Sequence, residues 1–128
     1  MSMKEAIIHV LSNYANFSGR ARRSEYWYFV LFTSLAVGVL AGLSTFFFGE
    51  NSTHNIFTVL SSLFSLAVFI PNLAVTWRRL HDIGKSGANY LWVLLPVIGG
   101  IMVLIWTLKD SQPGDNQYGP NPKETYYY

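Results

Sequence analysis

Three stretches of this chain, residues 26–48, 56–77 and 88–108, contain no charged side chain, and each is 21 to 23 residues long. As helix, such a run extends about 31–35 Å at ~1.5 Å per residue. The hydrocarbon core of a bilayer is roughly 30 Å thick, so each run is long enough to cross it. Helices of a soluble bundle keep a polar stripe toward water, and these runs have none. Only 12% of the residues are charged and 51% are hydrophobic, where a soluble domain carries about 25% charged residues. Too few polar groups remain to cover a surface facing water. The expected architecture is an all-α integral membrane protein, a single domain over residues 1–128, with three transmembrane helices at 26–48, 56–77 and 88–108.

The basic residues set an orientation. Lys4, Arg20, Arg22 and Arg23 precede the first run, and Arg78, Arg79 and Lys85 lie between the second and third. The loop at 49–55 has no Lys or Arg, and the segment after the third run has only Lys109 and Lys123. Positive charge concentrates on the cytoplasmic side, which places the N-terminus and the second loop there. Three full spans would then put the C-terminal tail outside. The alternative is that Pro96 and Gly99-Gly100 break the third run into a re-entrant hairpin and return the tail to the cytoplasm. Irregular backbone at membrane depth must be buried in protein or line water, and that cost favours three spans. No early apolar core with a small-residue cleavage site occurs, so the first run should act as an uncleaved anchor.

Residues 2–16 read as an amphipathic interfacial helix. Met3, Ala6, Ile7, Val10, Leu11 and Tyr14 recur at helical spacing, with Lys4, Glu5, His9, Ser12 and Asn13 on the other side. Packing of this helix against the spans fits the same pattern. Ser2 and Glu5 match a capping box. The tail, 109–128, is rich in Pro, Gly, Asn and Asp and should be irregular.

Candidate binding residues gather beside the apolar runs. In "FSGRARRSEYW" (17–27), Arg20, Arg22 and Arg23 stand just before the first span, where each could gain about 1 kcal/mol from anionic headgroups. Arg23 is one turn before Trp27, in reach of a cation–π contact. In "RRLHDIGKSG" (78–87), a continued helix puts Arg78, His81 and Asp82 on one face, with Arg78 and Asp82 an i, i+4 pair and Gly84 the left-handed stop. Arg79 points elsewhere, toward the other arginines or lipid phosphate, and Lys85 completes the basic rim. His81 and Asp82 are adjacent and diverge on a helix, so neither a metal site nor an oriented acid–base pair is expected. The chain has no cysteine, which removes disulfides, thiolate metal sites and cysteine nucleophiles. No cofactor and no catalytic residue is expected. The net charge of +2 is too small to suggest nucleic acid.

Inside the first span, Ser34, Gly38 and Gly42 recur every four residues and include a G-x-x-x-G pattern, which lets helices approach closely. Packing within one chain is the first expectation, and a seam between two copies fits as well. Pro71 frees a carbonyl one turn back in the second span, beside Asn72. No Asp, Glu, Lys or Arg lies within a span, which argues against a proton relay or ion-coupled pump.

The motifs "FSGRARRSEYW", "RRLHDIGKSG" followed by "LLPVIGG", and "PGDNQYGPNP" resemble, in order and spacing, a bacterial inner-membrane family known as domain of unknown function 805, the YhaH-like small membrane proteins. The resemblance runs from about Phe17 to Pro122. Members often carry two tryptophans after the "SG", where this chain has Ala88, Asn89 and Tyr90. The resemblance implies a small multi-pass protein of the bacterial inner membrane and implies no activity. If the third motif works with the other two, all three lie on one membrane face, which favours the re-entrant arrangement.

The functional expectation is a non-catalytic membrane protein. Its cytoplasmic rim of Arg20, Arg22, Arg23, Arg78, Arg79, His81, Asp82 and Lys85 would bind anionic lipid headgroups or a partner, either another membrane protein or a second copy in a homo-oligomer. One alternative is a small oligomeric channel or transporter component built around the kinked second and third spans. The other is an interfacial enzyme acting on a phosphorylated lipid, with His81 or Asp82 as acid or base.

Overall fold

The computed structural model describes residues 2–122. Its elements are α1 (Met3–Ser12), α2 (Arg23–Phe48), α3 (Ile56–Asp82), a 3₁₀ segment (Gly87–Leu94) and α4 (Ile98–Leu108). No strand forms among the described residues. The tail is irregular apart from one isolated bridge between Asn116 and Gly119, as its composition predicts, and its last part, 123–128, lies outside the described residues.

α2 and α3 pack as a hairpin. Phe29 meets Phe32, and Phe32 meets Phe64 edge to face, in a core shared with Val68 and Val75. The turn is set by Asn55. Its side-chain oxygen accepts from the Phe57 and Thr58 amides at 2.9 and 3.1 Å, the Thr58 hydroxyl accepts from the Asn55 backbone N–H, and Asn55 Nδ2 donates to Ser44 Oγ at 2.8 Å. These bonds satisfy donors that a helix start leaves open and tie the start of α3 to the end of α2.

α1 is shorter than the expected 2–16. Ser2 Oγ accepts from the Glu5 amide at 3.2 Å, the first half of the predicted capping box. Ala6 and Val10 are buried, and Ile7 packs on the core, while Ile8, Leu11 and Tyr14 stay exposed. The helix therefore seats on α2 rather than standing apart from it. Tyr14, in the turn that follows, donates its hydroxyl to the Ala67 carbonyl. That is the carbonyl which Pro71, four residues on and inside α3, leaves without its helical donor. A defect legible in the second run is thus repaired by the N-terminal segment.

The third apolar run does not form the expected continuous helix over 88–108. Two helices, α2 and α3, are long and apolar enough to cross a membrane, and α4 is a shorter apolar helix. At 11 residues, α4 extends about 16 Å, half a hydrocarbon core. The break lies at Pro96 and Val97. The Ile98 amide donates to the Pro96 carbonyl at 2.7 Å across Val97, whose φ is +64°. This is a tight γ-turn of the rare, strained kind, and a β-branched residue makes it costlier. Beyond it, Gly99 lies against the Trp92 carbonyl so closely that a Cβ would collide with it. Pro96 and the two glycines, the basis of the re-entrant alternative that ranks below three spans on the sequence alone, are where the run folds back.

Candidate functional site

The end of α3 closes as its sequence predicts. Gly84 has φ +80°, its amide donates to the His81 carbonyl, and the Lys85 amide donates to the Leu80 carbonyl, which is a Schellman stop. Around that stop the structure assembles all three sequence motifs.

The expected Arg78–Asp82 pair does not form. Arg78 instead donates through Nη1 to Glu25 Oε2 at 2.7 Å and through Nε to the Asn16 carbonyl at 3.1 Å. Asp82 is taken by Arg79, three residues back, and by Arg20, whose Nε stands 2.9 Å from Oδ1. Ser111 Oγ donates to Oδ2 at 2.5 Å. An i, i+4 pair on an exposed helix is worth only about 0.3–0.5 kcal/mol. Each arginine here has instead found a buried carboxylate, because Arg78 and Arg79 lie on different sides of α3 and face different neighbours.

Two sets of bonds bring the tail and α4 to this place. Arg20 directs its remaining nitrogens to carbonyls: Nη1 to Gly114 and Gly119 at 2.7 and 3.2 Å, Nη2 to Gln112 and Asp82 at 2.6 and 3.2 Å. The carbonyls at the end of α4 receive Arg79 Nε and Trp27 Nε1 at Thr107 (3.2 and 3.0 Å), Arg23 Nη1 at Leu108 (3.1 Å) and Arg79 Nη2 at Lys109. Helix C-termini leave such carbonyls open and carry partial negative charge, so guanidinium groups are their natural partners. Lys85 lies over the Trp106 ring at 4.8 Å and ties the loop ahead of the third run to α4. Arg23 thus serves the end of α4 rather than the cation–π contact with Trp27.

Of the sequence candidates, Arg20, Arg78, Arg79, His81 and Asp82 come together in the interior, and Arg78, Arg79 and Asp82 are no more than 2% exposed. Arg22 and Lys85 are half-buried and Arg23 is exposed. His81 Nδ1 lies 2.9 Å from the Gly19 carbonyl. That oxygen can only accept, so the proton sits on Nδ1. The His81 ring stacks on Tyr118 at 3.9 Å and 1°. Glu25 is a member of the site that sequence reasoning missed. It is fully buried, pairs with Arg78, and its Oε2 also lies 2.8 Å from His9 Nδ1. Its signal in the sequence is that of one acid among three arginines. Ser111, Thr107 and Tyr118 were missed too, because only the fold brings the tail and the end of α4 back.

The small-residue stripe is not an intrachain seam. Ser34, Gly38 and Gly42 are exposed, and a Cβ on either glycine would meet nothing within 4 Å. Ser34 and Gly38 instead line an open groove of about 550 Å³ with Ser65 and Asn72. The α2–α3 contact runs through phenylalanines on another face. No group of three or more His, Asp or Glu fit to hold a metal occurs among the described residues.

A family described as "Protein of unknown function (DUF805)" matches residues 14–120. Inner membrane protein YhaI of Escherichia coli (strain K12) is 40% identical over 116 residues, covering 91% of this chain and 93% of the relative. Inner membrane protein YhaH of the same strain is 36% identical over 116 residues, covering 91% and 94%. No solved structure matches the chain. With the family match spanning residues 14–120 and both relatives aligned over more than nine-tenths of their length, this all-helical, apolar protein belongs to the DUF805 family of inner membrane proteins.

Proposed function

We propose that the protein crosses the bacterial inner membrane twice, with its N-terminus in the cytoplasm. Its third apolar run is re-entrant, and its basic end binds anionic lipid headgroups without catalysing a reaction. The orientation rests on Arg20, Arg22, Arg23, Arg78, Arg79, Lys85 and Lys109 all gathering at one end of the α2–α3 pair, while the opposite turn at 49–55 has no Lys or Arg. Bilayer thickness and the positive-inside rule then give two spans with both termini inside.

The observation that most supports lipid binding is at Arg23. This exposed guanidinium stands at one end of an apolar groove of about 470 Å³ lined by Trp27, Tyr28, Leu31 and Leu108. Such a groove suits an acyl chain, with Arg23 and Arg22 placed for its headgroup. Arg20, Arg78 and Arg79 are committed to internal bonds, so the lipid-facing rim narrows to Arg22, Arg23 and Lys85. Both oxygens of Asp82 and Nδ1 of His81 are likewise engaged, which counts against an acid–base role.

Membrane vesicles carrying Thr53→Cys, Ser86→Cys or Asp115→Cys test the topology, since no native thiol interferes. Positions 86 and 115 should be labelled from the cytoplasmic side and position 53 from the other; labelling of 115 opposite 86 would restore the third span. For the lipid, the Arg22→Glu, Arg23→Glu variant should lose copurifying phosphatidylglycerol, and retention at the normal level refutes the reading. A second copy of the chain is the partner that the open Gly38–Gly42 face fits.

A further inference from the structure

Thr33 and Thr76 turn their hydroxyls onto carbonyls of their own helices, Val30 at 3.1 Å and Asn72 at 2.7 Å. The Asn72 side chain has no such partner: its amide is hydrogen-bonded to none of the described residues. Asn72 stands six residues before Arg78 on α3, about 9 Å toward the bilayer centre at ~1.5 Å per residue. With the basic end at headgroup level, the amide lies at the edge of the hydrocarbon, where an unmade hydrogen bond is costly. It is not enclosed by the fold. Asn72 is half-buried and lines two adjoining cavities. The smaller, about 230 Å³, is walled by Tyr26, Phe69, Asn72, Leu73, Thr76 and Tyr90. These supply two phenols, an amide and a hydroxyl among apolar surface, and none is charged. Tyr90 belongs to the first leg of the folded third run, so the fold-back completes this wall. The larger is the groove of about 550 Å³ between α2 and α3, which shares Phe69 and Asn72 with the smaller and has a chiefly apolar surface.

We propose that the two cavities together bind an uncharged, single-chain lipid with a flat, carbonyl-bearing head, the chemistry of a prenyl quinone. The head occupies the smaller cavity, where its carbonyl oxygens accept from the Asn72 amide and the Tyr90 hydroxyl, and the chain lies in the groove over Gly38. Three features of the wall select this class. Without a cation it offers nothing to an anionic headgroup. Three of its six side chains are aromatic, Tyr26, Phe69 and Tyr90, and rings pack well against a flat ring. One groove adjoins it, which suits one chain, whereas a glyceride brings two. The site is separate from the Arg22–Arg23 rim and its apolar groove.

Thermal unfolding of the purified full-length protein in phosphatidylcholine nanodiscs tests this, with three additives titrated at equal mole fraction. Decylbenzoquinone carries the ring, the carbonyls and one chain; decylbenzene lacks the carbonyls; dioctanoylglycerol offers ester carbonyls on two chains. A saturable rise in the midpoint is expected with decylbenzoquinone alone. Asn72→Leu keeps the size and removes the amide. It should weaken the apparent affinity about fivefold to tenfold, the loss of one hydrogen bond, while leaving the ligand-free midpoint equal or higher, because no unpaired amide remains in the hydrocarbon. Should Asn72→Leu not fold, Tyr90→Phe, which removes the second donor, serves in its place and should weaken binding severalfold. No saturable rise with the quinone overturns the proposal, as does an equal rise with decylbenzene or dioctanoylglycerol. So does an affinity unchanged in the variant, or a lower ligand-free midpoint for Asn72→Leu, which would show the amide to be partnered already.

Discussion

The two ends of the α2–α3 hairpin invert the usual rule for what a protein hides. At the end holding the third motif, the largest fully buried side chains include Arg78, Arg79 and Glu25. Along the most apolar stretches of the same helices, only 11% of α2 and 6% of α3 is buried, and Leu35, Val39, Phe46, Leu63 and Leu66 stand open. In water this arrangement would be untenable, since apolar area is driven out of water at about 25 cal/mol per Å². In lipid it is stable. The hydrocarbon solvates the leucines, and the ion pairs are enclosed where neighbouring backbone carbonyls can complete them. The apolar half of the hairpin is therefore held by its solvent, and the charged half by specific bonds.

That contrast is sharpest for Asp82. Asp82→Asn leaves Arg20 and Arg79 buried without their common carboxylate and should cost about 3–5 kcal/mol. Unfolding in detergent would measure it, with residues 110–122 becoming open to protease as Arg20 loosens. A cost near that of an exposed ion pair would erase the distinction between the two ends. Next comes the fold-back of the third run. Gly99→Ala drives a methyl group into the Trp92 carbonyl and should cost about 1–3 kcal/mol, the range for overpacking; an unchanged midpoint would mean that the hairpin is not closed there.

Smaller still is the Tyr14 bond. Tyr14→Phe should cost about 1 kcal/mol by leaving the Ala67 carbonyl without a donor. In a Pro71→Ala background, which restores a helical N–H for that carbonyl, the same change should be nearly neutral. Equal costs in both backgrounds would show the two residues to be uncoupled. The least effect is expected at the open end, where Gly42→Ala meets no atom and should leave the monomer unchanged or more stable by up to about 1 kcal/mol. Loss of stability there would place a neighbour against α2, and chemical cross-linking would show whether it is a second copy.

Much of this organisation is legible in the amino-acid sequence. The length and charge-free character of the first two runs specify α2 and α3, Gly84 marks the stop of α3, and Pro71 marks the orphaned carbonyl. A shared face for the three motifs follows only on the condition that they work together, and the length of the third run argued the other way. The partners are not legible. Arg78 and Asp82 are correctly spaced for each other on one helix, yet each has a competitor from another element. Spacing along a helix says nothing about Glu25, 53 residues away. Gly38 and Gly42 carry the pattern of a close helix contact, but the phenylalanines of α2 and α3 make the contact on another side.

What the sequence determined alone was the solvent: apolar runs of that length and so little charge leave no stable arrangement in water. It also determined where the chain can bend, because Pro and Gly act on the backbone locally, whatever the surroundings. Only the tertiary structure decided which way the third run goes and which charges meet. Both depend on the guanidinium groups of Arg20, Arg23 and Arg79 reaching carbonyls more than 25 residues distant, and a bond between distant residues exists only once the helices between them have packed.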